Sequence, residues 1–188
     1  MPNSTLKMRL VDFLNGSVPS EQELDSLIRI MNRDIDLNID VDMAGLLRVA
    51  AYEGYSATLA ALLAQIPKEK LAQIVNLSDF SLGTLLGVAA MNGHKQCVEA
   101  ILKTDVADVY YRSEDGKTAL DHAANAGHTA CVVAFIEYAD KIGQPIPKAE
   151  LDTAISAATG YLRNNQAIID LLNTYAKVHY PPRRPSNA

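Results

Sequence analysis

The chain has no tryptophan, and aromatic residues make up only 6 % of its 188 residues. Its two cysteines, Cys97 and Cys131, are too few for a disulfide framework. That usage fits a reducing, cytoplasmic compartment, of the producing cell or of a host cell. No apolar run is long enough to cross a bilayer. The opening segment MPNSTLKMRLVDFLNGS carries charge inside its apolar stretch and has no small-residue cleavage site, so it does not read as a signal peptide. Positive charge is scarce: 17 Lys and Arg face 22 Asp and Glu, for a net charge of −5. That balance disfavours non-specific binding to nucleic acid, which needs a basic face. The one basic cluster, Lys177, His179, Arg183 and Arg184, falls in a closing segment expected to be a solvated tail. There is no glycine-rich phosphate loop, no set of carboxylates paired across a plausible cleft, and no Ser/His/Asp order of note. The expectation is a protein that is not an enzyme and holds neither cofactor nor metal.

Hydrophobic residues make up 48 % of the chain and charged residues 21 %, a balance that folds. Alanine is abundant, which points to helices that pack closely through small side chains. The informative feature is internal repetition. GTLLGVAAMNGHKQCVEAIL, from Gly83 to Leu102, aligns without gaps on KTALDHAANAGHTACVVAFI, from Lys117 to Ile136. Thr84 to Thr118 and Cys97 to Cys131 share one offset of 34 residues. A looser copy, GLLRVAAYEGYSATLAALL, precedes them at an offset of 39, so about one helical turn is inserted there. A fourth copy, LDTAISAATGYLRNNQAIIDLL, keeps an Ala-Ala pair at Ala157-Ala158 but has no Gly-His pair.

Each copy reads as two short antiparallel helices. Thr84 and Thr118 are placed to cap the first helix, and the Ala-Ala pair lies on its buried side. Gly54, Gly93 and Gly127 end it, where a left-handed conformation is cheapest for glycine. The second helix buries Val98, Ile101 and Leu102, or Val132, Phe135 and Ile136, at helical spacing. Pro145 and Pro147 interrupt the connection between the third and fourth copies.

This pattern resembles the ankyrin repeat, whose signature runs roughly T-P-L-H-x-A-A-x-x-G-H, then an apolar helix, then A-D-V-N. The resemblance covers residues 20–175. It is carried by the Thr, Leu, Ala-Ala and Gly-His positions of the two central copies, and by Ala107-Asp108-Val109 in the connecting segment. Departures are Leu46, Leu85 and Ala119 at the proline position, and Arg48, Gly87 and Asp121 at the first histidine. The resemblance implies an all-α, ankyrin-type helical repeat solenoid, with stacked antiparallel helix pairs and short hairpin connections. It divides the chain into a cap at 4–38, repeats at about 39–75, 76–108, 109–146 and 147–176, and a flexible tail at 177–188.

The family binds other proteins on a concave face built from first helices and hairpin tips. Carried over position by position, that face holds Tyr52, Glu53, Met91, Asn92 and Asn125 on the helices. On the hairpins it holds Asp42, Asp79, Phe80, Tyr111, Arg112 and Glu114. The implied partner is another protein, met by a chain that is monomeric alone and binds neither nucleic acid nor membrane. Two other readings stand beside this one: a bacterial repeat protein acting on a host-cell protein, and an enzyme.

Other candidates have plainer explanations. Asp34, Asp36, Asn38, Asp40 and Asp42 alternate like the first half of a calcium loop, but Ile39 stands at the turn glycine and Gly45 at the bidentate glutamate. A solvated acidic hairpin is the expectation. His94 and His128 match the structural Gly-His positions. Cys97 and Cys131 read as small core residues, one helix diameter apart and too distant for a disulfide. Pro182-x-x-Pro185 is a weak match to a proline-rich ligand.

Overall fold

The computed structural model describes residues 39–78, 83–160 and 165–181, together with Gln22, and of residues 39–42 only the backbone. The cap expected at 4–38 and the candidates Asp79 and Phe80 lie outside the described residues. Nine helices are found among them: α1 Ile39–Glu53, α2 Ser56–Gln65, α3 Lys68–Val75, α4 Leu85–Met91, α5 Lys95–Leu102, α6 Ala119–Ala126, α7 Thr129–Ile142, α8 Lys148–Ala158 and α9 Gln166–His179. They form two layers. The first helices α1, α4, α6 and α8 stack side by side, and the second helices α2, α5, α7 and α9 make the other layer, each packed against its own first helix. This is the helical repeat solenoid expected from the sequence.

Side-chain size sets the spacing of the first layer. Ala50, Ala51, Ala89, Ala90, Ala123 and Ala124 are all fully buried, and with only a methyl group at each, neighbouring helices approach closely. The second helices close the core with Leu59, Leu62, Val98, Ile101 and Val132, also fully buried. Each such aliphatic side chain contributes about 1.5–3 kcal/mol relative to an exposed position.

The caps fall where the sequence puts them. Thr84 Oγ1 accepts from the Gly87 N–H at 3.4 Å. Thr118 and Asp121 form a reciprocal capping box: the Asp121 N–H donates to Thr118 Oγ1 at 3.2 Å, and the Thr118 N–H donates to Asp121 Oδ2 at 2.9 Å. The first copy has Gly45 at this position, with no hydroxyl to stop the helix. Helix α1 accordingly runs 15 residues, against 7 for α4 and 8 for α6. Its first turn takes up the end of the segment expected to be an acidic hairpin, so Asp40 and Asp42 stand on a helix, while Asp34, Asp36 and Asn38 lie outside the described residues.

Two further expectations change. The insertion behind the 39-residue offset is a separate helix, α3, entered through Ile66-Pro67, with Ile74 and Val75 buried. Nor does a tail begin at residue 177. Lys177–His179 complete α9, the His179 ring lies 4.2 Å from that of Tyr175, and the Tyr180 hydroxyl donates to the Ile146 carbonyl at 3.0 Å. The hydroxyl of buried Tyr175 accepts from the Ile146 N–H at 3.3 Å. Two tyrosines of the last repeat thus hold both polar groups of one residue in the proline-flanked connection. Among the described residues, no helix is long and apolar enough to cross a membrane.

Candidate functional site

A ladder of side chains fixes the edge of the first-helix layer. His94 Nε2 lies 2.8 Å from the Tyr52 carbonyl, and His128 Nε2 lies 3.0 Å from the Met91 carbonyl. A carbonyl can only accept, so each ring carries its proton on Nε2. Each ring also seats over the glycine that ends the previous first helix. A Cβ at Gly54 would stand 2.5 Å from His94 Nδ1, and one at Gly93 would stand 2.6 Å from His128 Nδ1. The Gly-His pair therefore works across repeats: the glycine of one unit makes room for the histidine of the next. The fourth copy has no histidine, but Asn165 Nδ2 donates to the Ala124 carbonyl at 2.8 Å and takes its place.

This ladder brings equivalent residues into one row. Tyr52, Met91 and Asn125 follow one another on α1, α4 and α6, about 8–10 Å apart from helix to helix. Tyr52 is 47 % exposed, Asn125 is exposed and Met91 half-buried. Glu53, beside Tyr52, is half-buried. Asn92 caps its own helix, its Nδ2 donating to the Val88 carbonyl at 2.9 Å.

On the hairpin between α5 and α6, Tyr111 is half-buried and Glu114 exposed. Arg112 is tied into the fold. Its Nη1 donates to the Gly116 carbonyl at 2.8 Å, and its Nη2 meets both Glu150 oxygens on α8 at 2.7 and 2.8 Å. Asp121 Oδ2 on α6 lies 3.7 Å from Nη1. Arg48, at the position of the missing histidine, makes a comparable link, donating to the Gly83 carbonyl at 3.0 Å and the Leu77 carbonyl at 3.1 Å. Asn76 bridges neighbouring hairpins: its amide donates to the Val106 carbonyl, and its oxygen accepts from the Asp108 N–H, both at 2.8 Å. Arg48 thus ties its repeat to the next, beside the histidine ladder.

The fold also assembles a Ser/His/Asp trio that sequence order does not suggest. Ser113 Oγ lies 3.0 Å from His122 Nε2 and 2.6 Å from Asp115 Oδ1. The Lys117 carbonyl is a third neighbour at 2.8 Å. The serine has one proton, and both oxygens nearby are pure acceptors, so His122 donates to Ser113 and its Nε2 lone pair is not free to act as a base. The trio reads as a clasp on the hairpin. Burial would raise the Asp115 carboxyl, but hydrogen bonds from Lys117 and Ser113 and the charge of His122 hold it down at about 2. Burial pushes the His122 imidazole below its ordinary value, against the pull of Asp115.

Both shifts make stability fall with acid. The unfolded chain takes up the His122 proton at higher pH than the folded chain does. Stability is therefore lost as pH drops below the ordinary 6.5 and on through the lower folded value. The Asp115 share, full above its ordinary 3.8, is lost as pH falls through about 2. The urea midpoint is expected to decrease from about pH 7 to pH 5, with a smaller decrease in His122→Asn. Equal slopes in the two proteins would show that His122 does not set this dependence.

Cys97 and Cys131 are free and fully buried. Burial raises both thiols to about 11, so they stay protonated, and Cys97 Sγ donates a weak bond to the Ala50 carbonyl at 3.8 Å. No group of three or more His, Cys, Asp or Glu among the described residues is arranged to hold a metal ion.

Tyr110 is not among the contact residues carried over from the family. It is 41 % exposed at the hairpin and, with Tyr138 and Glu150, lines a cavity beside the 143–147 connection. The sequence offers two adjacent tyrosines, and the repeat register selects Tyr111.

Comparison with known proteins agrees with this architecture. No curated protein matches the chain. Among solved structures, it is similar to a chain in the crystal structure of the yeast ribosomal protein Rps3 in complex with its chaperone Yar1. The TM-score is 0.56 at 22 % identity, over 73 % of this chain and 94 % of that one. At that identity the likeness is one of fold. The family model of ankyrin repeats, in three copies, matches residues 46–146, more than half of the chain. Those residues hold the capping threonines, the buried alanine pairs and the glycine-histidine ladder, and the chain belongs to the ankyrin repeat family.

Proposed function

We propose that this chain is a non-catalytic protein-binding module that captures its partner on the row of first-helix side chains, with the neighbouring hairpin as the second contact. The observation that carries this reading is Tyr52, a large aromatic 47 % exposed at the head of a row whose backbone is fixed by the His94 and His128 bonds. A rigid, exposed aromatic beside a half-buried methionine is the kind of anchor on which binding energy concentrates. Glu53, Asn125, Tyr111 and Glu114 extend the surface. Asp42 on α1, together with Asp79 and Phe80, completes the set carried over from the family. Arg112 and Asn92, also in that set, contribute through the shape they hold. The neighbour seen in a chaperone complex supports a binding role without indicating this chain's partner.

The test is capture of interacting proteins from the native source by wild type and by Tyr52→Ala/Met91→Ala/Tyr111→Ala, with circular dichroism as the control for folding. The variant is expected to keep its helix signal and to lose specific capture by at least about tenfold, as for anchors each worth 1–2 kcal/mol or more. Undiminished capture by a folded variant would place the binding face elsewhere.

A further inference from the structure

The cavity beside the 143–147 connection has a chemistry that the row on the first helices lacks. It holds about 180 Å³, below the roughly 300–1,000 Å³ of substrate and cofactor pockets, and so is sized for a single side chain. Phe135 and Ile146 form a buried floor, 5 % and 4 % exposed, while Tyr110 and Ile142 form an open rim, 41 % and 39 % exposed. Tyr138 stands on the wall, and among the described residues Glu150 is the one charged residue of the lining, with no lysine or arginine there. Arg112 holds Glu150 but also faces buried Asp121, which leaves that trio one negative charge in excess. Asp105 adds a further carboxylate, hydrogen-bonded to Tyr138.

We propose that this cavity is a docking pocket for one basic side chain, a lysine or arginine, on a peptide segment of the partner protein. The apolar floor accepts the methylene stem, which long basic side chains bury readily. The tyrosine rings attract the cation through their faces, and Glu150 with its excess of negative charge sets the sign of the ligand. The surroundings of the hydroxyls agree: burial first, then Glu150, raises Tyr110, and burial first, then Asp105, raises Tyr138. The proposal rests on the reading that the chain binds protein, and it names the partner chemistry at a second contact.

The test reads the pocket directly, whatever the outcome of the capture experiment. The full chain is titrated by NMR with the pentapeptide Ac-Ala-Ala-Arg-Ala-Ala-amide, and with its citrulline and leucine counterparts. The arginine peptide is expected to shift Tyr110, Tyr138 and Ile142 resonances, with a dissociation constant on the order of 1 mM. Citrulline, leucine, added salt and Tyr110→Ala should each weaken this by about tenfold or more. Equal shifts from the leucine peptide would reduce the site to an apolar dimple. Shifts confined to other residues, or none, would overturn it outright. A chain ending at Pro181 supplies the last arm. If shortening alone moves these resonances, without peptide, the occupant belongs to this chain and the partner assignment fails.

Discussion

Gly93→Ala is expected to destabilise the chain by about 2–5 kcal/mol, although it adds a single methyl group to a half-buried turn. Two costs combine. The residue has φ +79°, where an L side chain meets its own backbone at a cost of about 1–2 kcal/mol. The new Cβ would also stand 2.6 Å from His128 Nδ1 and 2.7 Å from Cε1, closer than such atoms approach. The ring cannot swing aside without losing its bond to the Met91 carbonyl. Forced overpacking of this kind costs about 1–3 kcal/mol. Urea unfolding of Gly93→Ala, His128→Ala and the double variant separates the terms. Removing the ring removes the collision, so the double variant should be more stable than the two single losses predict, by about 1 kcal/mol or more. Strict additivity would mean that the backbone conformation accounts for the whole loss and that the ring yields freely.

The same pair shows what was legible in the sequence. Gly93 and His94 were readable as a helix stop and a structural histidine, because backbone geometry leaves its mark on residue type. That Gly93 seats His128 while His94 seats on Gly54 was not readable, because it depends on how one repeat leans on the next. Helix caps were legible at Thr84 and Thr118 for the local reason that a hydroxyl three residues upstream answers an exposed N–H. The absence of a cap at Gly45 was equally legible: without a stop the helix continues back to Ile39, and Asp40 and Asp42, from a stretch with the look of a hairpin, stand in its first turn, where negative charge is favoured. The end of the chain misled in the opposite direction. Composition made residues beyond 177 look like tail, yet the Tyr180 N–H donates to the Ala176 carbonyl and its hydroxyl to the Ile146 carbonyl, the latter a contact set by tertiary position alone. The candidate row was legible only in part. Register gave Tyr52, Met91 and Asn125, but it could not distinguish an outward-facing arginine from one engaged by two carboxylates of its own chain.

That arginine gives the second large effect. Arg112→Met is expected to cost about 1–3 kcal/mol, even though Arg112 sits on a hairpin among candidate contact residues. Asp121 is only 2 % exposed. Its Oδ2 is held by the Thr118 N–H, while Oδ1 is buried with no hydrogen-bond partner, so Arg112 Nη1 at 3.7 Å is the nearby positive charge that balances it. Breaking a fully buried pair by removing one partner costs about 3–5 kcal/mol. The arginine side chain is 41 % exposed, and solvent screening lowers the expected loss to the range given. Substituting Asp121→Asn in the Arg112→Met background removes the uncompensated charge, so the double variant should recover part of the loss. Glu150 is less buried, at 16 %, and can turn toward water, so Glu150→Gln should cost less than Arg112→Met. These stabilities come from chemical unfolding of the isolated chain, where no partner is present. If Arg112→Met is as stable as wild type there yet fails to capture the partner, the residue belongs on the binding face after all. A loss of stability relieved by Asp121→Asn makes it the tie between the third repeat's hairpin and the helices α6 and α8.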